Sequence, residues 1–192
     1  MTPVDAADEF VGNALCLDFV NTLNVRPDAT RDRLATAEEL LAWVRAAGHP
    51  ADGTSERVAS RALPTLRRLR DTVYEVFGAV VDGAELPAGM LSELTATYAD
   101  AITHARWEQA DGRLAPVWPR PTDPVEIAWP VAASALDLLR TGPLERIGRC
   151  PGCGWLFLDT SRNGQRRWCS MATCGSRTKA ARYYARSTRH DA

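Results

Sequence analysis

The sequence predicts an α+β protein that is mostly α, with a helical N-terminal domain that includes a β-hairpin and a small C-terminal module. Three observations predict this class. Apolar residues recur at helical spacing through most of residues 14–140. A short alternating segment around Asp111-Gly112 interrupts them. Four of the five cysteines lie in the last quarter of the chain as two close pairs.

The N-terminal segment is too apolar for a loop. Leu15, Phe19 and Leu23 follow i, i+4, i+8 spacing, which predicts a helix from about Ala14 onward, with a short strand as the alternative. Residues 26–33 are polar and contain Pro27-Asp28, so we expect a loop there.

Helix-terminal signals place the next two helices. The Thr36–Glu39 segment is a capping box for a helix that ends at Gly48. Ser55 is the expected cap of a longer helix with a continuous apolar stripe. Within it Pro64 marks a kink or a boundary.

The remaining N-terminal elements are a helix, a hairpin and a further helix. The first of these helices follows Pro87. Two alternating runs within residues 104–118, joined by Asp111-Gly112, predict a β-hairpin with a type I′ turn. A proline-rich connection then leads to a helix that ends near Arg140.

Charge divides the chain into two unequal parts. Residues 1–145 hold 13 arginines and 22 acidic residues, a net charge of −9, whereas residues 146–192 hold 10 basic and two acidic residues, a net charge of +8. We therefore expect an α-rich domain over 1–145, acting as sensor or dimerisation unit, and a basic module over 146–192, with the boundary within 141–149.

Composition also bears on location. No apolar run is long enough to span a bilayer, and the N-terminus is acidic where a signal or transit peptide is basic. We expect a cytoplasmic protein, and in that compartment thiols stay reduced.

The cysteine spacing predicts a structural metal site. Cys150 and Cys153 form one pair, Cys169 and Cys174 the other, and fifteen residues separate the pairs. Two such pairs supply the four thiolates of a tetrahedral Zn²⁺ site. A redox CxxC motif and four unrelated buried cysteines are the alternatives. Cys16 lies in an apolar segment and is expected to be a core residue.

The residues between the pairs predict a treble-clef-like zinc finger. Cys150-Pro-Gly-Cys153 suits a tight knuckle, and residues 155–158 suit a strand. Asn163-Gly164 predicts a turn into a second strand over 166–169. A helix rich in alanine and arginine then follows Cys174.

The sequence offers no set of residues suited to catalysis. Four thiolates leave no coordination position for a water molecule. His49, His104 and His190 have no nucleophile or paired carboxylate near them in sequence. We therefore expect a protein that is not an enzyme.

Basic residues of the module predict a nucleic-acid surface, with DNA as the expected partner. Helical spacing places four of them on one face of the last helix, opposite Ala180, Ala181, Tyr184 and Arg177, which are expected to face the metal core. The alternative is a solvated face that offsets the anionic metal centre. The candidate contacts are Lys179, Arg182, Arg186 and Arg189 on the helix and Arg162, Arg166 and Arg167 before it.

These residues carry a resemblance to a known family. Residues 168–177, with Cys150, Cys153 and Lys179, resemble the CGNR zinc finger, and residues 12–22 and 40–48 resemble the companion ABATE domain. The resemblance implies a bacterial, stress-linked transcription regulator whose finger binds DNA. Ser176 stands where the family has Asn, so a hydroxyl replaces the amide beside Arg177, and both are expected to brace the structure around the metal.

Three polar residues of the apolar N-terminal segment have two interpretations. Asp18, Asn21 and Thr22 could line a pocket for a small-molecule effector, or they could make structural hydrogen bonds. A homodimer is also compatible with the sequence.

Two other functions compete with DNA binding. The zinc module could be a protein–protein adaptor that presents Trp155 and Trp168 to an acidic partner. Its thiolates could instead form a redox sensor that releases zinc on oxidation.

Overall fold

A computed structural model describes residues 10–26, 29–48, 54–110, 112–119 and 124–187. The chain is mostly helical with small antiparallel hairpins, which confirms the predicted fold class. None of the helices in the described part is long and apolar enough to cross a membrane. The helices are α1 (Leu15–Val20), α2 (Ala37–Ala46), α3 (Glu56–Asp82), α4 (Ala88–His104), α5 (Ala128–Thr141) and α6 (Ser176–Ser187).

Within the described residues the strands form three two-stranded antiparallel sheets. They are β1 (Leu23–Arg26) with β2 (Ala29–Asp32), β3 (Arg106–Ala110) with β4 (Arg113–Val117), and β5 (Ile147–Arg149) with β6 (Leu156–Leu158). Short 3₁₀ helices cover Pro124–Ile127 and Leu144–Arg146, and a π-type turn covers Met171–Gly175.

The β1–β2 hairpin corrects the sequence analysis, which predicted a loop over residues 26–33. Leu23 is paired with Asp32 across the hairpin. The Asp32 carboxylate accepts hydrogen bonds from the buried guanidinium of Arg70 on α3. Polar composition signals a loop only when polar groups have water as their partner, and here Asp32 has a partner on a distant helix.

The predicted helix starts and the β3–β4 hairpin are confirmed. Thr36 Oγ1 accepts from the backbone N–H of Glu39 at 3.2 Å, and Ser55 Oγ accepts from Val58 at 3.3 Å. Helix α3 continues through Pro64 without ending. It packs against α1, α2, α4 and β5, and the buried face of this long helix therefore organises the core.

The C-terminal segment contributes to the same core as the helices. Ile147 of β5 and Leu156 of β6 belong to the buried cluster that contains Leu17 and Phe19 of α1 and Phe77 of α3. Strand β6 packs directly on α1 and α3. The division at residue 145 stays a prediction, and the described contacts join the two sides of it.

The second edge of β6 is completed by residues from the other end of the chain. Asn21 donates from Nδ2 to the carbonyl of Leu156 at 2.9 Å and accepts from the Leu156 N–H through Oδ1 at 3.0 Å. The Leu158 N–H donates to the carbonyl of Gly12 at 2.8 Å. These bonds satisfy backbone groups that a two-stranded sheet would leave unpaired.

Asn21→Ala should lower the free energy of unfolding by about 2–4 kcal/mol, because it leaves the buried N–H and C=O of Leu156 without partners. Urea denaturation monitored by circular dichroism measures the change. Gln165→Ala, at an exposed site in the same segment, should change it by less than about 0.5 kcal/mol. Equal effects from the two substitutions would show that the amide does not hold β6.

Candidate functional site

The four cysteines of the C-terminal module converge on one point. Their sulfur atoms lie within 4.8 Å of one another, and all four side chains have little exposure. The Sγ atoms of Cys153 and Cys169 are 3.5 Å apart, and those of Cys169 and Cys174 are 3.6 Å apart. These distances exclude disulfides, and the cysteines are free thiols. The cluster is a candidate metal site.

The first pair lies on a knuckle between β5 and β6. The N–H of Gly154 donates to the carbonyl of Cys150 at 2.9 Å, and the N–H of Cys150 donates to the carbonyl of Trp155 at 2.8 Å. Gly154 has a φ of +76°, a left-handed conformation that favours glycine. The turn therefore brings Cys150 and Cys153 to the same side of the chain.

The second pair is positioned by the π-type turn before α6. Ser170 caps this turn by accepting from the N–H of Thr173 at 3.4 Å. A Cβ on Gly175 would lie 2.9 Å from the sulfur of Met171, so a larger residue would displace the end of that exposed side chain. Ser176 donates its hydroxyl to the carbonyl of Met171 at 2.9 Å. This hydroxyl thus closes the turn that carries Cys174. In the family that the segment resembles, the residue at position 176 is Asn.

The proximity of the sulfurs couples their ionisation. Hydrogen bonds from the thiols of Cys153 and Cys169 lower the pKa of Cys150 far below its usual value. The same interaction with Cys150 raises the pKa of Cys153 to about 12 and raises the pKa of Cys169 strongly. Without a cation, the charge of the first thiolate opposes ionisation of a second thiol beside it. A bound cation favours the ionised form of all four cysteines.

The donor set fits zinc. A tetrahedron with metal–sulfur bonds of about 2.3 Å places its sulfurs about 3.8 Å apart, close to the separations measured here. Cys150, Cys153, Cys169 and Cys174 would hold the ion, and the ion would cross-link the knuckle to the π-type turn. Cys16 lies elsewhere, in the core beneath α5, where burial raises the pKa of its thiol to about 12.

Arg166 corrects the predicted nucleic-acid surface, because its guanidinium points inward. Nη2 donates to the carbonyl of Val11 at 2.6 Å and to that of Cys169, and Nε donates to the carbonyl of Trp168 at 3.1 Å. The guanidinium carbon lies 4.4 Å above the centre of the Phe157 ring. An arginine with these partners holds the module to the N-terminal segment and is not available to phosphate.

The predicted second strand of the module is also wrong. Residues 166–169, all of which are described, form no strand, and β6 pairs with β5 instead. The cause is Asp159, whose carboxylate accepts from the backbone N–H groups of Ser161 and Arg166, both at 2.8 Å. These bonds hold residues 159–166 as a closed loop, and the edge of β6 that a second strand would need is occupied by Gly12 and Asn21.

Three residues that were predicted to contact nucleic acid have described side chains and are exposed on the module. They are Arg162, Arg167 and Lys179. The side chains of Arg182 and Arg186, and the whole of Arg189, lie outside the described residues. The backbone of α6 extends to Ser187, so positions 179, 182 and 186 share one helix face.

The predicted inner face of α6 requires a correction. Arg177, Ala180 and Ala181 are exposed, although the sequence analysis placed them against the metal core. The side chain of Tyr184 lies outside the described residues. The core of the module is filled instead by Trp155 and Phe157, with Val11 and Trp168 packed against them. Because Val11 comes from the N-terminal segment, helical periodicity within the module could not reveal this partner.

Asp18, Asn21 and Thr22 make structural hydrogen bonds. Asp18 accepts from the N–H of Gly12 at 2.7 Å, and Asn21 pairs with Leu156 as described above. Thr22 donates to the carbonyl of Phe19 at 2.6 Å. Asn21 also lines a cleft between α3 and the knuckle. The sequence analysis named Asn21 as a possible pocket residue but did not identify the α3 and knuckle residues of this cleft, because these two walls come from segments about 80 residues apart.

The structure combines a helical core with a C-terminal module whose four buried cysteines form a candidate metal site. These two features place the protein among those that carry a small cysteine-rich metal module. Comparison with protein families agrees with this class. Residues 13–142 match the model of the ABATE family, described as "Putative stress-induced transcription regulator", and residues 146–187 match the CGNR zinc finger. The chain belongs to the ABATE family and carries a CGNR zinc finger. A search of curated proteins found no match.

The metal site should bind one divalent ion per chain. Co²⁺ added to the reduced, metal-free protein should give the visible absorption of a tetrahedral thiolate complex, because all four donors are sulfur. Cys169→Ser should weaken binding at least about tenfold by removing one donor. Cys16→Ala is the matched control and should leave the spectrum and the stoichiometry unchanged. A Co²⁺ spectrum lost in the control but kept in Cys169→Ser would assign the site elsewhere.

Asp18 should make the free energy of unfolding fall as pH rises. Burial raises its pKa to about 6, above the unfolded value, despite the N–H of Gly12 and the charge of Arg166. Its stabilising contribution is complete below about pH 4 and is lost as pH rises through about 6. Between about pH 4 and pH 6, the free energy of unfolding should therefore fall less in Asp18→Asn than in the wild type. The difference between the two falls should be on the order of 2 kcal/mol. Parallel pH profiles in urea denaturation would refute the assignment.

Proposed function

We propose that the protein is a zinc-dependent transcription regulator that binds DNA through the exposed basic residues of its CGNR module. The observation that supports the proposal is the placement of the basic side chains that the structure describes between residues 146 and 181. Some are used internally, as with Arg149, which pairs with Asp82 at 3.0 Å, and Arg166. Others are exposed with no acidic partner among the ion pairs of the described residues, as with Arg162, Arg167 and Lys179.

Internal compensation of the metal centre supports this interpretation over a surface that serves only to neutralise it. A Zn²⁺ ion with four thiolates retains about two negative charges. Arg166 already lies beside the cluster, with its guanidinium bonded to the carbonyl of Cys169. One guanidinium offsets about one of these two charges, and the exposed cations Arg162, Arg167 and Lys179 outnumber the charge that remains, so phosphate groups are suitable partners for them.

The role of zinc in the proposal is structural. Among the described residues no backbone–backbone hydrogen bond joins the knuckle to the π-type turn, so a cross-link through four sulfurs would fix their relative position. Such sites contribute on the order of 10 kcal/mol to the folding of small modules. Correct placement of α6, which begins at Ser176 directly after the turn, depends on that cross-link.

The proposal includes no enzymatic activity. All four donors of the metal site are cysteines, and a closed set of this kind serves structure. His104 stacks on the Trp129 ring at a centroid distance of 4.8 Å and bonds to Asp100 in its own helix. His49 and His190 lie outside the described residues. A cytoplasmic location and a bacterial source remain part of the proposal.

The adaptor alternative is weakened by the position of Trp155. This side chain is 5% exposed and donates from Nε1 to the carbonyl of Leu23 at 2.9 Å, so most of its ring is withdrawn from any surface that a protein partner would contact. The redox alternative stays open chemically, because the same thiolates are oxidisable once the metal is released. It is compatible with DNA binding.

Substitution of the shared face of α6 should separate DNA binding from metal binding. Lys179→Glu, Arg182→Glu and Arg186→Glu in one chain should reduce affinity for duplex DNA at least about a hundredfold, because three phosphate contacts become repulsive. Zinc content should remain one per chain. In the wild type, log K should fall with log salt concentration at a slope of roughly −4.

The matched control makes the same charge change on the N-terminal helices. Arg57→Glu, Arg61→Glu and Arg140→Glu are all at exposed positions and should leave DNA affinity within about threefold. Fluorescence anisotropy with labelled DNA measures both variants. Full DNA affinity in the α6 variant, or equal losses in the two variants, would refute the proposed surface.

A further inference from the structure

A cleft of about 470 Å³ lies between α3, the segment that follows α1, and the cysteine knuckle. Its volume falls in the range of small-molecule sites, about 300–1,000 Å³. The cleft shares a wall with the metal centre, because Cys153, Gly154 and Trp155 all line it. It is separate from the exposed basic residues of the proposed DNA surface.

Aromatic side chains form part of the wall. Trp155 is held in place by its hydrogen bond to Leu23, and Tyr74 lies on α3 opposite the knuckle. A Cβ added to Gly154 would be 3.6 Å from the Tyr74 hydroxyl, which shows how closely the two sides approach. Rings that are fixed by packing and hydrogen bonding are suited to bind the apolar body of a ligand or to contact a cation.

The charge at the rim of the cleft is negative. Asp71 and Glu75 lie one turn apart on α3, and both are exposed. Arg70 also lines the cleft, but its terminal nitrogens bond to Asp32 at 2.5 and 3.3 Å, so its charge is largely balanced there. Arg70 Nε is 3.8 Å from the Asp71 carboxylate and has no hydrogen-bond partner.

Two further features favour a cation in the cleft: a nearby arginine is already neutralised, and the sulfur cluster is negatively charged. Arg149, which is near Glu75, is already paired with Asp82 through both terminal nitrogens at 3.0 Å. The sulfur cluster behind Cys153 would carry about two negative charges as a zinc tetrathiolate, and Arg166 offsets about one of them. Carboxylates therefore outnumber uncompensated guanidinium groups around an aromatic cavity.

We propose that this cleft binds a small organic cation with an apolar body, such as an arylalkyl ammonium ion. Its charged group would lie between the carboxylates of Asp71 and Glu75, with its apolar part against Tyr74 and Trp155. The role of this ligand as an effector rests on the function proposed above, whereas its binding does not. An occupant of the cleft contacts α3 and the knuckle together, so it should also retard loss of the metal.

The test uses the full zinc-loaded chain without DNA, so its outcome is independent of DNA binding. Benzyltrimethylammonium is titrated while backbone amide signals are followed by ¹H–¹⁵N NMR. The amides of Tyr74 and Gly154 should shift and saturate. Phenylmethanesulfonate, of similar size and opposite charge, should bind at least about tenfold more weakly. Equal affinity for the two ions would overturn the proposal.

Paired variants test the residues. Asp71→Asn with Glu75→Gln should raise the Kd for benzyltrimethylammonium about tenfold by removing both carboxylates. Glu56→Gln with Glu85→Gln removes the same charge at exposed positions outside the cleft and should leave Kd within about twofold. An unchanged Kd in the first variant would overturn the assignment.

The rate at which a colorimetric chelator removes zinc provides a second readout. Saturating benzyltrimethylammonium should slow removal from the wild type at least about threefold and should have no effect at the same concentration in the variant that lacks both carboxylates. Faster or unchanged removal from the wild type would contradict the predicted contact between the ligand and the knuckle.

Discussion

The structure depends on the hydrogen bonding of β6 along both of its edges. Strand β5 pairs with one edge, and Asn21 and Gly12 complete the other. A two-stranded ribbon of three-residue strands is marginally stable in water by itself. Because Cys150 and Cys153 lie between these two strands, the position of half of the metal site is determined by residues more than 120 positions away in sequence.

Arg166 extends the same connection to the other half of the site. Its guanidinium joins the carbonyl of Val11 in the N-terminal segment to that of Cys169, a predicted metal ligand. Burial lowers the pKa of this arginine from its usual value, and the charges of Cys169 and Asp159 oppose the change. The cation therefore remains charged beside a cluster that becomes anionic when it binds a metal, which favours association of the module with the helical core.

The sequence predicted what is encoded locally. Cysteine spacing identified the residues that converge, and capping residues such as Thr36 and Ser55 located two helix starts. Predictions that required knowledge of distant partners were wrong. Residues 26–33 were polar enough for a loop, yet Arg70 compensates Asp32 and a hairpin forms.

The predicted nucleic-acid surface also depended on partners that are distant in sequence. Arg166 and Arg167 are equivalent by composition, but one is bonded inward and the other is exposed. The difference arises from Val11 and Phe157, which the fold brings beneath Arg166. Net charge is a property of a segment, whereas availability for phosphate depends on tertiary contacts that a segment does not encode.

Ile147 and Leu156 belong to the core of the helical domain, so a metal bound to the module would stabilise more than the module alone. Free energy from metal binding stabilises every contact that is lost when β5 and β6 separate from α1 and α3. Consider a ligand that binds better when β5 and β6 are packed against α1 and α3. By thermodynamic linkage, the ligand raises the affinity for the metal by the same factor as the metal raises the affinity for the ligand. The cleft between α3 and Gly154 is the place where such a ligand would contact both sides at once.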